Sequence, residues 1–183
     1  MQKKVLSEVD LYYGEIQTPK GFEIKRDIIK NSILDSFLKE KRISNNIKDY
    51  SYVDYQLDYS QALQWLQDYV RDHFKVEYHK TLISKLHWGN VYEYDQKSFS
   101  RNTVDPVDLR NAADYTFIYG VDVGKDSTGV VIEYDDNRRK GRTWHLPLNN
   151  NNFVMFPSTQ KYFIAPNKAE QMNVILTTTY EYI

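Results

Sequence analysis

The stretch YTFIYGVDVGKDSTGVVIEYDD, residues 115–136, decides the fold. Its two halves, YTFIYGVDV and GVVIEYDD, are rich in β-branched and aromatic residues, and the interval Lys125-Asp126-Ser127-Thr128 carries turn residues. That pattern predicts two strands in quick succession. Further strands follow at short spacing: RTWHLPL after the basic loop Asn137-Arg138-Arg139-Lys140-Gly141, then FVMFPS, KYFIAP and MNVILTTTYEYI. Short strands separated by Gly, Asn and Pro indicate a sandwich or jelly-roll barrel.

Upstream, Ser98 to Asp114 is polar and contains Pro106, which reads as a long loop or a loop with one helical turn. Before it, VEYHKTLISKLHWGNVYEY from Val76 has β-branched and aromatic residues at period-2 positions, with Gly89-Asn90 as a bulge or bend. The first 75 residues read differently. Val9 to Gln17 is one strand ending at the turn Thr18-Pro19-Lys20-Gly21. Ile24, Ile28, Ile29, Ile33, Leu34, Phe37 and Leu38 recur at helical spacing. After a polar connection, Asp58 or Ser60 can cap a second helix with Leu63, Leu66, Tyr69, Val70 and Phe74 as its buried stripe. The expectation is a single domain over 1–183, α+β but mainly β: a strand and two helices in 1–75 and a β-rich jelly-roll core in 76–183, with the helices packed outside one sheet.

Composition narrows the function. The 183 residues are 41% apolar, enough for one sizeable core. No apolar run approaches the roughly 20 residues that cross a bilayer, and MQKKVLSEVD lacks the apolar stretch of a signal peptide. The chain is therefore expected to be soluble and not exported by that route, with no membrane partner. With no cysteine there is no disulfide, thiolate zinc site or cysteine nucleophile. Lys+Arg 24 against Asp+Glu 25 leaves a net charge of -1, so no global basic field draws in phosphate and nucleic acid is not an expected partner. Sixteen tyrosines against seven glycines suit half-buried sheet faces and protein contact surfaces.

The stretch Phe153-Val154-Met155-Phe156-Pro157-Ser158, followed by KYFIAPN and a last long strand, is similar to the closing strands of phage-type relatives of the iron(II) and 2-oxoglutarate dependent oxygenases. The likeness covers roughly residues 110 to 183 and implies a double-stranded β-helix. In that family the Phe-Pro-Ser turn leads to the distal metal histidine, and an arginine opening the final strand binds 2-oxoglutarate. Here Tyr162 and Asn173 stand at those positions. The first histidine and its carboxylate should lie just before IYGVDV, where the resemblance places Asn111 and Ala113.

The residues themselves agree on this point. A facial triad needs His-x-Asp or His-x-Glu on one strand, so that alternate side chains reach the same iron. His73 is followed two on by Lys75, His79 by Thr81, His87 by Gly89 and His145 by Pro147. The reversed pair Glu77-x-His79 would share one strand face. No metal, cofactor or catalytic residue is expected, and no Gly-x-Ser-x-Gly elbow or Gly-rich phosphate loop occurs. Ser158 after Pro157 reads as a turn serine.

The expected function is that of a non-enzymatic structural protein of a tailed-bacteriophage virion, assembled in the host cytoplasm as a neck, tail or capsid accessory component. Its partners would be other virion proteins in an oligomeric assembly. Candidate interaction residues are Arg138, Arg139 and Lys140 in the charged loop, Trp144 on its strand, and Tyr162. Two alternatives stand beside it: an active oxygenase with displaced ligands such as His79, His145 and Glu77, and a carbohydrate-binding jelly roll with Trp144 or clustered tyrosines as stacking platforms.

Overall fold

A computed structural model describes residues 9–44, 49–105, 107–137 and 140–183. Among the described residues nine strands form two sheets, and two helices cover one of them. Strands β1 (Tyr12–Glu15), β2 (Tyr55–Gln56), β3 (Leu82–Tyr92), β4 (Tyr115–Asp122), β7 (Asn152–Pro157) and β9 (Asn173–Tyr182) make a major sheet in the order β1-β7-β4-β9-β3-β2. Strands β5 (Thr128–Asn137), β6 (Lys140–Leu148) and β8 (Lys161–Ile164) make a minor sheet in the order β6-β5-β8. All the pairings are antiparallel.

Side-chain alternation sorts the major sheet into two cores. On β4, Phe117, Tyr119 and Val121 face the helices, while Ile118 faces the minor sheet. On β7, Met155 takes the helix side and Val154 and Phe156 the barrel side. The space between the sheets is filled by Tyr92, Ile118, Val130, Ile132, Leu148, Phe156, Tyr162, Ile164 and Ile175 among others. This is a jelly-roll barrel with two helices outside one sheet, as the strand spacing predicts, of the double-stranded β-helix kind that the resemblance implies.

Helix α1 (Arg26–Ile43) buries Ile29, Ile33 and Phe37, one per turn, and carries Asp27 in its first turn and Lys41 and Arg42 in its last, complementing its dipole. Ile28 and Leu38, expected in the stripe, are 45% and 46% exposed because a single sheet contact covers less than half of the cylinder. Gly89 lies under this helix: a Cβ there would stand 2.4 Å from Ile33 Cγ1. Its glycine therefore serves close helix approach, and the β3 irregularity falls at Ser84/His87 instead of Gly89-Asn90.

Helix α2 (Gln61–Tyr78) starts at Ser60, whose hydroxyl accepts from Leu63 N–H at 3.2 Å. It runs past the expected strand start at Val76 and ends on His79, whose φ of 53° places it in the left-handed region that closes helices. Glu77 and His79 therefore do not share a strand face. No helix among the described residues is long and apolar enough to cross a membrane.

Candidate functional site

Tyr162, at the position the resemblance assigns to the distal metal histidine, is 1% exposed and belongs to the barrel core. It is no contact residue, which corrects its place among the interaction candidates: its strand face looks inward between the sheets. Directly across from it stands Arg101. Arg101 N–H donates to the Tyr162 carbonyl at 2.9 Å, and Tyr162 N–H returns a bond to the Arg101 carbonyl at 2.8 Å. The same segment is tied by Ser98 N–H to the Ile164 carbonyl and by Thr103 N–H to the Ser158 carbonyl.

Part of the expected loop thus runs beside β8, joined to it by an isolated bridge that sets Arg101 across from Tyr162. Asn111 and Ala113 do not stand there. Asn111 bonds to Asp108 in the loop that precedes β4, and Ala113 lines a surface hollow with Leu109 and Tyr182. A polar segment without alternation gives no strand signal, so its backbone bonds to β8 were not legible in the sequence.

The Arg101 guanidinium donates to Asp54 from Nη1 at 2.6 Å and from Nη2 at 3.0 Å, and Asn90 Nδ2 gives Asp54 a further bond at 2.8 Å. It lies 5.4 Å from the Trp88 ring centre. Burial opposes the Arg101 charge, but its bonds to Asp54 outweigh that cost and hold the group more firmly protonated than usual. Burial also pushes the Tyr162 phenol up, against the pull of the neighbouring Arg101, so the phenol is neutral at ordinary pH. Arg101 Nε, Trp88 Nε1 and the Tyr162 hydroxyl are buried and have no hydrogen-bond partner among the described residues.

This set does not fit iron. A divalent cation needs lone pairs from neutral imidazole or carboxylate, whereas this corner presents N–H and O–H donors around a resident positive charge. All four histidines lie elsewhere. His73 stacks on Tyr69, His79 caps α2, and His87 sits on the helix side of β3, its ring nitrogens 3.1 Å from Gln67 Nε2. His145 is on the outer face of β6 against Gly129. The displaced set of His79, His145 and Glu77 is not brought together, and among the described residues no three His, Asp or Glu side chains could hold a metal.

Asn173, at the expected arginine position, is buried and used internally. Its Oδ1 accepts from Gly124 N–H at 2.9 Å, and its amide bonds Ser127 Oγ at 2.9 Å, locking the β4–β5 turn. Ser158 is likewise a turn residue: its Oγ pairs with Thr116 at 3.0 Å and its N–H with the Asp114 carbonyl.

The inward face of the minor sheet continues past the core into a cleft of about 590 Å³. Ile132 and Tyr134 of β5, Trp144 of β6, Phe156 of β7, and Val9 and Leu11 line it, with Asp10 and Gln160 as polar groups. The volume is that of a ligand pocket and the lining is mainly apolar. Trp144 is 58% exposed at its edge, and His145 points the opposite way, so the alternating reading of this strand holds. Tyr134 and Phe156 were legible as partners of Ile132 and Val154 by period 2. Arg138 and Arg139 lie outside the described residues, and Lys140 opens β6.

No family model matches the sequence, and no curated protein matches it. The fold is similar to that of the viral collagen prolyl hydroxylase of Paramecium Bursaria Chlorella virus-1, with TM-score 0.64 and 9% identity over 100% of this chain and 98% of that one. A Pseudomonas putida prolyl-4-hydroxylase gives 0.57 and 11% over 93% and 91%. A Trichoplax adhaerens prolyl hydroxylase in complex with a hypoxia inducible factor oxygen degradation domain peptide fragment gives 0.57 and 10% over 93% and 83%. These likenesses establish the double-stranded β-helix of 2-oxoglutarate and iron(II) oxygenases as the fold. They overturn the expectation of a virion structural protein, since the named neighbours are enzymes; of the sequence-based readings, the oxygenase alternative accords better with this company.

Proposed function

We propose that this chain recognises an extended polypeptide in the cleft along β6, with the oxygenase-type barrel as a rigid frame for binding instead of iron chemistry. One observation carries the reading: the aromatic cleft opens along the edge strand of the minor sheet, where β6 pairs only with β5 among the described residues. An added strand can take main-chain hydrogen bonds from such an edge and place alternate side chains in the cleft. Residues 142–145 of β6 are exposed along it. The Trichoplax neighbour, a hydroxylase in complex with a peptide fragment, supports a polypeptide over a sugar as the occupant.

Trp144 is the anchor. With 58% of a side chain of about 250 Å² exposed, roughly 145 Å² is available, and covering half of it contributes about 2 kcal/mol. Peptides selected on immobilised protein are expected to perturb tryptophan fluorescence, and Trp144→Ala to weaken them roughly tenfold or more. Glycan binding lost on Trp144→Ala, with no peptide selected, transfers the cleft to carbohydrate. No binding of either kind refutes the proposal.

Oxygenase chemistry on a polypeptide is the second reading, favoured by the activities of the structural neighbours. The donor set around Tyr162 speaks against it. Stoichiometric iron together with succinate formed from 2-oxoglutarate would establish it.

A further inference from the structure

The resemblance of the closing strands implies a metal histidine at Tyr162, the residue that this chain sets across from Arg101. We infer that Arg101 itself is the resident cation of this corner, a guanidinium strut to Asp54 that holds it together without a metal.

Position comes first. Arg101 is the residue paired across from Tyr162, so its side chain leaves the strand on the same face and toward the same corner. Charge comes second. The guanidinium meets both Asp54 oxygens, the planar fork-to-fork arrangement that arginine makes and lysine does not. Asp54 has its two oxygens committed to Arg101 and Asn90, leaving little for a metal to coordinate. The surroundings come third: the guanidinium lies 5.4 Å from the Trp88 ring centre and close enough to the Tyr162 phenol to pull against the effect of its burial.

The strut also has a mechanical role. Asp54 belongs to the connection between α1 and β2, and Arg101 to the segment paired with β8. Their bond therefore joins the β2 edge of the major sheet to the segment beside β8 of the minor sheet. Both side chains are about two-thirds covered, at 31% and 34% exposure, so water screens the pair only in part. The inference is independent of what the cleft binds.

Thermal unfolding of the whole chain after chelation, with and without added Mn(II), Zn(II) or anaerobic Fe(II), tests it directly. The melting temperature is expected to stay within about 1 °C, with no stoichiometric metal by elemental analysis. Stabilisation beyond about 3 °C, or one metal per chain, overturns the inference. A mutant cycle tests the strut. Arg101→Met and Asp54→Asn are each expected to lower the melting temperature by roughly 4 °C or more, or to prevent folding, with Arg101→Lys between Met and wild type. The double variant should fall no further than Asp54→Asn, which also disturbs the bond from Asn90, because both singles break the same Arg101–Asp54 pair. Additive losses, or single variants that melt like the wild type, overturn the strut.

Discussion

Gly89→Ala tests the packing that sets the helical layer against the barrel. The new Cβ would stand 2.4, 2.6 and 2.7 Å from Cγ1, Cδ1 and Cγ2 of Ile33, a side chain with no exposure. Two of those atoms sit on the branched Cβ of Ile33, whose χ1 is stiff in a helix, so the side chain cannot swing aside and α1 must lift from β3. Overpacking of this kind costs about 1–3 kcal/mol. Alanine also restricts the unfolded chain, which offsets about 0.4–1 kcal/mol, because the backbone at Gly89 needs no positive φ. The net loss is then about 1–2 kcal/mol, or roughly 2–8 °C in melting temperature for a chain of this size. Ile33→Ala alone should cost about 2–5 kcal/mol by leaving a cavity. In the double variant the alanine Cβ enters that space, so urea unfolding should show a loss smaller than the sum by about 1 kcal/mol or more. Strict additivity would refute the contact and with it the account of why residue 89 is glycine.

Three other outcomes follow from particular contacts. Ser60→Ala removes the N-cap of α2 and is expected to cost about 1 kcal/mol in denaturant unfolding, with Ser60→Asp restoring most of it. Burial holds the His87 imidazole below its usual range, so the folded state binds fewer protons than the unfolded chain. That contribution to stability is complete above the unfolded value of about 6.5 and declines as pH falls through the folded value. Melting curves between pH 8 and 5 should show this decline, and His87→Asn should reduce it; an unchanged slope would count against the assignment. Lys80 donates to the hydroxyls of Tyr12 and Tyr115, each at 2.8 Å, and to Asp10 at 3.1 Å, tying β1 to β4. Lys80→Met should therefore speed amide exchange across Tyr12–Glu15 while leaving the centre of β9 protected, and equal exchange in both proteins would remove the tie.

Strand identity was legible because period-2 patterning and turn chemistry are local: residues 115–136 and the later strands form where alternation places them. Helix α1 and the Ser60 cap were readable for the same reason. The errors fall where locality fails. VEY, residues 76–78, has β-forming residues, yet it continues α2 because Phe74 is held in the core and the helix finds its left-handed closure only at His79. Residues 98–101 carry no strand pattern yet are bonded to β8, which sets Arg101 across from Tyr162.

By itself the sequence determined a two-helix, mainly β chain with a jelly-roll core, and it determined that no His-x-carboxylate pair is present. Backbone alternation, capping residues and ligand spacing are all written over a few neighbouring positions. Only the tertiary structure decided that Tyr162 is core, that Arg101 faces it and is held by Asp54, 47 residues earlier in the chain, and that Trp144 opens onto a cleft. Those facts depend on which strands become neighbours, and strand adjacency is set by burying two separate apolar faces at once, which no local pattern specifies.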